Sequence, residues 1–216
     1  MNQLGGLLIV GAGGHGRVVA DAARQTACWA ELAFLDDRFP DIAQADGVEV
    51  LGRVEDAASA CGRFPDAVAA MGDPSKRLEI LDYLSKLGFQ FPPVVHPSAV
   101  VSDRAVLGPA TVVFALSAIN TGASLGRGCI VNTGASVDHD CKLGAGVHVA
   151  PGARLGGNVC VGIRSWIGIG ASVREGTVVG SDVTIGAGAA VVSDLPDGIT
   201  AVGVPARTLP DNNYTS

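Results

Sequence analysis

From Val95 to Val191 every sixth residue is Val, Leu or Ile without a break, and four residues after each, as far as Ala189, comes a small side chain such as Ala123, Cys129, Ala135, Cys141 or Ala171. Glycine often follows the branched residue, as in Leu125-Gly126, Leu143-Gly144 and Ile167-Gly168. An amphipathic helix returns to its apolar face about every 3.6 residues and cannot hold that beat. Period six instead predicts a solenoid of short parallel strands, each hexapeptide forming one flat side of a triangular coil and stacking on its equivalents above and below. The branched residue points into the prism, the small one packs beside it, and glycine relieves the backbone at the corners. The interior of such a prism is narrow, and no large residue stands at an inward position to overpack it.

Before the repeat the pattern changes. Leu7-Leu8-Ile9-Val10 reads as a strand that ends at Gly11-Ala12-Gly13-Gly14-His15-Gly16, after which Val18, Val19, Ala22 and Ala23 fall on one helix face. A second strand, Leu32 to Leu35, closes on Asp36-Asp37. A third, Ala67 to Met71, ends at Gly72-Asp73, and Pro74 opens a helix through Leu78, Leu81, Tyr83 and Leu84 that stops at Gly88. This is a βαβ nucleotide-binding half: the glycines let backbone approach a pyrophosphate at a helix N-terminus, and a carboxylate ending the second strand binds ribose or base. The spacing also fits a dinucleotide, but so short a segment cannot hold both halves of a dinucleotide domain and a substrate site, so a nucleotide-sugar is expected.

The 216 residues carry a net charge of −6 and no basic run, which argues against a nucleic-acid partner. The five cysteines lack CxxC or metal-ligand spacing, and Cys129 and Cys141 fall on the small inward beat, so they are expected to be buried packing residues. No signal-like segment and no apolar run long enough to span a bilayer occurs, so a cytoplasmic protein without membrane insertion is expected. The positive mean hydropathy reflects Ala and Val in the solenoid. Of the four histidines, His139 sits between Asp138 and Asp140 at a non-core position, His148 lies beside inward Val149, and His96 is expected to be a structural hinge between domains.

Val10-Gly11-Ala12-Gly13-Gly14-His15-Gly16, Phe34-Leu35-Asp36-Asp37, His96-Pro97-Ser98-Ala99, Val131-Asn132-Thr133, Val137-Asp138-His139-Asp140-Cys141 and Gly203-Val204-Pro205-Ala206-Arg207 occur in this order. With the repeat, they make the chain resemble the sialic acid O-acetyltransferase and bacterial sugar-nucleotide N-acetyltransferase family of hexapeptide-repeat acyltransferases, including the enzymes that acetylate UDP-4-amino sugars in bacillosamine synthesis. The resemblance implies an α/β Rossmann-like domain over residues 1–92, a left-handed parallel β-helix over 93–207 and a C-terminal tail over 208–216. It further implies a homotrimer with active sites between subunits, acetyl-CoA as cosubstrate, no metal, and a nucleotide-linked amino sugar, most specifically a UDP-4-amino-4,6-dideoxyhexose, as acceptor.

By the same resemblance His139 is the general base and Asp140 its orienter; no Ser or Cys stands beside His139 except Cys141, which the repeat phase points inward, so a direct attack without an acyl-enzyme is expected. Gly13, Gly14 and His15 line the diphosphate, Asp36 and Asp37 hold the nucleoside, Gly72, Asp73 and Arg77 close the other side, and Asn132 lies near the sugar. His148 stands near the acetyl group, the N–H of Gly157 faces the developing oxyanion, Ile169 and Ala187 border the pantetheine, and Arg207 meets the coenzyme A phosphates. The chain departs from the family in Gly72-Asp73-Pro74, where members often carry Gly-Asn-Asn, and in Asp140, where many carry Glu. O-acetylation of sialic acid or another sugar is one alternative. A non-catalytic nucleotide-sugar-binding trimer is another, and an NAD-dependent oxidoreductase a remote third.

Overall fold

In the computed structural model, residues 5–209 are described; residues 210–216 of the expected tail, and 1–4, lie outside them. The N-terminal unit is a sheet of five strands, β1 (Gly6–Val10), β2 (Glu31–Leu35), β3 (Gln44–Ala45), β4 (Val48–Gly52) and β5 (Asp66–Ala69), in the spatial order β3-β4-β2-β1-β5. Strands β1, β2, β4 and β5 are mutually parallel, and β3 returns antiparallel on β4. Helix α1 (Gly14–Thr26) follows β1, a short α2 (Ala57–Ala60) follows β4, and α3 (Pro74–Lys86) follows β5. The continuous apolar runs Leu7 to Val10 and Ala67 to Ala69 are buried on both faces, as parallel strands covered by helices require. Strands β3 and β4 carry no apolar run of that kind, and the hydrophobic pattern alone does not reveal them.

From Val94 onward the chain winds as a triangular prism of two-residue strands, each pairing in parallel with residues eighteen further on, as in Val94↔Val112, Ile130↔His148 and His148↔Trp166. Three faces result. The first contains Val100–Val101 to Ala190–Val191, the second Val106–Leu107 to Val178–Val179, and the third Val94–Val95 to Thr184–Ile185, with the chain end continuing it. The interior is one continuous cluster of the residues the beat selects, including Val131, Val137, Val149, Cys129 and Cys141, all fully buried.

The corner chemistry differs from the simple expectation. Left-handed backbone occurs every six residues, at Ala110, Leu116, Gly122, Gly128, Gly134, Asp140, Gly146 and onward to Gly188, three places after each branched residue from Leu107 to Ile185. The glycine immediately after the branched residue serves close approach instead: a Cβ on Gly126 would lie 2.6 Å from the Ala145 nitrogen, and one on Gly144 2.8 Å from the Ile163 nitrogen of the next coil. Bare backbone at that position lets coils stack.

The N-terminal unit sits on the third face. Val94, Val112, Ile130 and Phe114 are buried against α1 in a cluster with Val19, Ala20, Ala22 and Ala23. Among the described residues no helix is long and apolar enough to cross a membrane.

Candidate active site

Val137 ends a first-face strand and Lys142 opens a second-face strand, so His139 and Asp140 occupy the edge where these two faces meet. His139 Nδ1 lies 2.9 Å from Asp140 Oδ2, and half of each side chain is exposed. A carboxylate oxygen only accepts, so Nδ1 carries the proton and Nε2 holds its lone pair free. The bond to Asp140, with the charges of Asp138 and Asp140 adding to it, raises the His139 pKa above the ordinary histidine value. Asp138 fixes the backbone beneath: its Oδ1 accepts from the His139 N–H at 2.7 Å and from Asn120 Nδ2 at 2.8 Å.

The prism spacing builds space around this pair. Gly157, eighteen residues past His139, has no Cβ where one would lie 2.5 Å from Cε1 and 2.9 Å from Cδ2, and closer still to Nε2. Gly122, eighteen before Asp140, likewise leaves room for Asp140 Oδ1. Asp140 itself has φ 58°, a conformation Asp tolerates better than most residues. Asn120, Gly122 and Asp138 were not among the expected site residues; Asp138 adjoins His139 in the chain, and steps of eighteen back from Asp138 and Asp140 find Asn120 and Gly122.

A second group lies where α1 meets the third face. Gly11 has φ 103°, and a Cβ on Gly16 would collide with the Gly11 carbonyl, so both glycines are required by the strand-to-helix turn. A Cβ on Gly13 or Gly14 would meet nothing within 4 Å, so these two residues leave an open cradle at the N-terminus of α1 that suits a phosphate. His15 points from this loop toward the solenoid, edge-on to Phe114 at 5.5 Å and 6.2 Å from His148. His148 is 5% exposed and packs against Trp166, one coil below, at 4.0 Å.

The His148 tautomer follows from its neighbour. Asn132 Oδ1 accepts from the Thr133 N–H at 2.8 Å, which leaves Nδ2 to donate to His148 Nε2 at 3.2 Å. Nε2 is therefore an acceptor, and the proton is on Nδ1. That buried Nδ1 has no partner, and neither has His15 Nε2. Leaving such a group unpaired costs about 1–3 kcal/mol, a cost that a ligand supplying the missing partner removes. Burial, with the Arg77 charge adding to it, lowers His15 to about 4 and His148 to about 3, so both are neutral at physiological pH.

Two expectations change on burial. Asp36 accepts from Ala12 N at 2.8 Å and from Arg38 N, Nε and Nη2, so both its oxygens are engaged in fixing the loop rather than free for a nucleoside; the Arg38 bonds hold its pKa far below the carboxylate range. Asp37 accepts from Val54 N through Oδ1. Arg77 is 1% exposed and is spent on four carbonyls inside the protein, so it does not line an open ligand site. Asp73 Oδ1 caps α3 through Lys76 N, while Gly72 faces Trp166.

Ile169 and Ala187 stack on the edge between the third and first faces, both exposed, with Gly188 N–H donating to Ile169 O at 2.8 Å; Ile169 is 60% exposed and offers apolar surface to a long flexible chain. Arg207 lies exposed on the terminal hairpin paired with Val202. His96 closes a turn by accepting from Ser98 N. Burial raises the Cys141 thiol and pushes Cys129 up to about 12, so neither is a thiolate nucleophile at neutral pH. Among the described residues no group of three or more His, Cys, Asp or Glu can hold a metal ion.

Residues 6–84 match the family model described as the PglD N-terminal domain. Over 110 residues the chain is 37% identical to UDP-N-acetylbacillosamine N-acetyltransferase of Bacillus subtilis (strain 168), a match that spans about half the length of each protein. Solved relatives extend the likeness to nearly the whole chain. The acetyltransferase domain of PglB from Neisseria gonorrhoeae FA1090 is 44% identical with TM-score 0.91 over 94% of this chain and 99% of that one, and has been solved with acetyl coenzyme A. PerB from Caulobacter crescentus, solved with CoA and GDP-perosamine, is 38% identical with TM-score 0.90 over 96% of this chain and 98% of its own.

Proposed function

The chain belongs to the hexapeptide-repeat family of sugar-nucleotide N-acetyltransferases, and on that basis we propose that it transfers the acetyl group of acetyl-CoA to the amine of a UDP-linked 4-amino-4,6-dideoxyhexose. The observation that carries the reading is the His139 imidazole, with Nδ1 tied to Asp140 and Nε2 open over the bare backbone of Gly157. Attack by the amine on the thioester carbonyl creates a positive nitrogen whose proton must leave. His139 Nε2 takes it, Asp140 steadies the imidazolium that results, and collapse of the tetrahedral adduct breaks the C–S bond, the departing CoA thiolate taking the proton back from His139. The Gly157 N–H is the proposed partner of the developing oxyanion. With Cys141 inward and protonated, the amine attacks directly.

The sugar-nucleotide has its diphosphate at the Gly13-Gly14 cradle, with His15 beside it and the free oxygen of Asp37 toward the nucleoside. Asn132 and His148 line the reacting end. Ile169 and Ala187 border the pantetheine, and Arg207 neutralises coenzyme A phosphates. Of the two nucleotides named by relatives, UDP occurs in the name of the Bacillus subtilis protein and GDP in the ligand of PerB, and we assign UDP.

His139 stands on the edge opposite the third face, whereas His15 and His148 are on that face. One chain therefore holds the base and the ligand loop on opposite sides of its prism. The full site needs a neighbouring copy, which supports a homotrimer with sites between subunits. Val100, Val106 and Val178, all at least half exposed, lie on the two faces flanking the His139 edge and supply apolar surface for such contacts.

The test is thiol release from acetyl-CoA with UDP-, dTDP- and GDP-linked 4-amino-4,6-dideoxy sugars, with sialic acid alongside, for the wild type and His139→Ala. The expected result is rapid release with the UDP amino sugar and a loss of roughly 10²-fold or more in the folded variant. Near-normal turnover in His139→Ala removes the residue from the mechanism, and release with sialic acid alone moves the activity to a hydroxyl acceptor.

A further inference from the structure

Arg77 is the largest fully buried side chain of the protein, and its hydrogen bonds cross the junction between the two units. Nη1 donates to Met71 O at 2.6 Å and Gly72 O at 2.9 Å, both on the loop leaving β5. Nε donates to Gly128 O at 2.8 Å and Nη2 to Gly146 O at 2.7 Å, corner carbonyls of two successive coils. Both corner glycines are left-handed, with φ 66° and 73°, and α3 rests directly on them: a Cβ at Gly128 would lie 3.0 Å from Leu81 Cδ1, and one at Gly146 3.0 Å from Leu78 Cδ1. The guanidinium thus reads a backbone pattern that exists only when the N-terminal unit sits in one register on the solenoid. No carboxylate is among its partners.

The same loop reaches the site. Gly72 faces Trp166, Trp166 packs at a tilt against His148, and His148 faces His15. We propose that Arg77 is a positioning residue that locks the nucleotide-binding unit onto two coils of the solenoid and keeps the His15 and His148 rings facing each other, uncharged, across that junction. Geometry already requires a neutral His148, because Asn132 donates to its Nε2. Burial disfavours a charge on either ring, and the guanidinium charge works in the same direction. The groups bearing on the pair are Arg77 from α3 on both rings, His15 on His148, and, through the guanidinium, Cys129 beneath it and Asp73 at the start of α3. Burial lowers Arg77 only to about 10, so it stays charged throughout the neutral range.

The consequence for turnover rests on the N-acetyltransferase reading; the junction and the ring protonation do not. Arg77→Lys keeps the charge but cannot reach four carbonyls, whereas Arg77→Met keeps much of the length and removes the charge. Proton–nitrogen NMR of the two imidazoles, followed from about pH 7 down to 4 without ligand, should show the rings titrating alike in the wild type and in Arg77→Lys, and protonating at higher pH in Arg77→Met. In the transfer assay Arg77→Lys should raise KM for the nucleotide sugar roughly tenfold with a smaller change in kcat, because it displaces the ligand loop and leaves His139 intact. A folded Arg77→Met with wild-type ring titration, or an Arg77→Lys with KM within twofold of wild type, overturns the proposal. Should Arg77→Met fail to fold, the KM against kcat split in Arg77→Lys decides. Should the wild type transfer acetyl to no acceptor, the function reading fails by itself, and the NMR titration decides for Arg77.

Discussion

Gly157→Ala is the smallest perturbation that tests the geometry of the proposed base. The added methyl would lie 2.5 Å from His139 Cε1 and 2.9 Å from Cδ2, against an ordinary carbon–carbon contact of about 3.5–4.0 Å. The ring must therefore move by about 1 Å or more. His139 is half exposed and can swing toward solvent, so the folded state gives way cheaply, by about 1 kcal/mol or less rather than the ~1–3 kcal/mol of overpacking a sealed core. Backbone strain adds nothing, because Gly157 is not among the left-handed positions. The movement is costly for chemistry: it lengthens the 2.9 Å bond to Asp140 and puts carbon in front of Nε2. A misplacement of about 1 Å corresponds to roughly a 10²-fold loss in kcat. The assay is steady-state thiol release at saturating acetyl-CoA, paired with thermal denaturation, using Gly62→Ala as the comparison because nothing lies within 4 Å of its Cβ position. Turnover within about threefold of wild type in a folded Gly157→Ala would refute the claim that this glycine keeps the base clear.

Three other perturbations probe separate parts of the structure. Asp140→Asn replaces the charged acceptor that raises the His139 pKa with a neutral amide; since the base works only when neutral, the acid limb of kcat/KM should move to lower pH while the plateau falls roughly 10²-fold, both read from a pH–rate profile. His15 and His148 have folded-state pKa values of about 4 and about 3, below the unfolded value, so the unfolded chain binds more protons as pH falls below about 6.5. Urea melts should accordingly show stability dropping by up to about 2 kcal/mol per group between about pH 6.5 and 5, and His148→Gln should flatten that dependence. Val149→Phe places an aromatic ring in the fully buried prism interior and should lower the melting temperature by the equivalent of about 1–3 kcal/mol or more; an unchanged Tm would contradict the narrow interior.

The solenoid, its interior and the N-terminal glycine-rich strand-to-helix turn can all be read without coordinates. A strict six-residue beat of branched side chains has one packing solution, in which every coil buries the same positions, and such repetition is local enough to see in the chain. Gly11-x-Gly13-x-x-Gly16 was legible for the same reason: a tight strand-to-helix turn places its demands on neighbouring residues. Legibility ended where residues far apart in the chain compete for one another. Asp36 reads as a ligand carboxylate until Arg38 and the Ala12 N–H take its oxygens, and Arg77 reads as a ligand cation until α3 lies down on Gly128 and Gly146. The glycines after branched residues look like corner glycines, yet left-handed geometry falls two places later, because the close approach is between coils and not within one. It took the folded chain to bring His15 up to His148, on the face opposite the His139 edge. Which side of a prism a residue occupies follows from its winding phase, whereas what lies beside it follows from the unit docked on the third face.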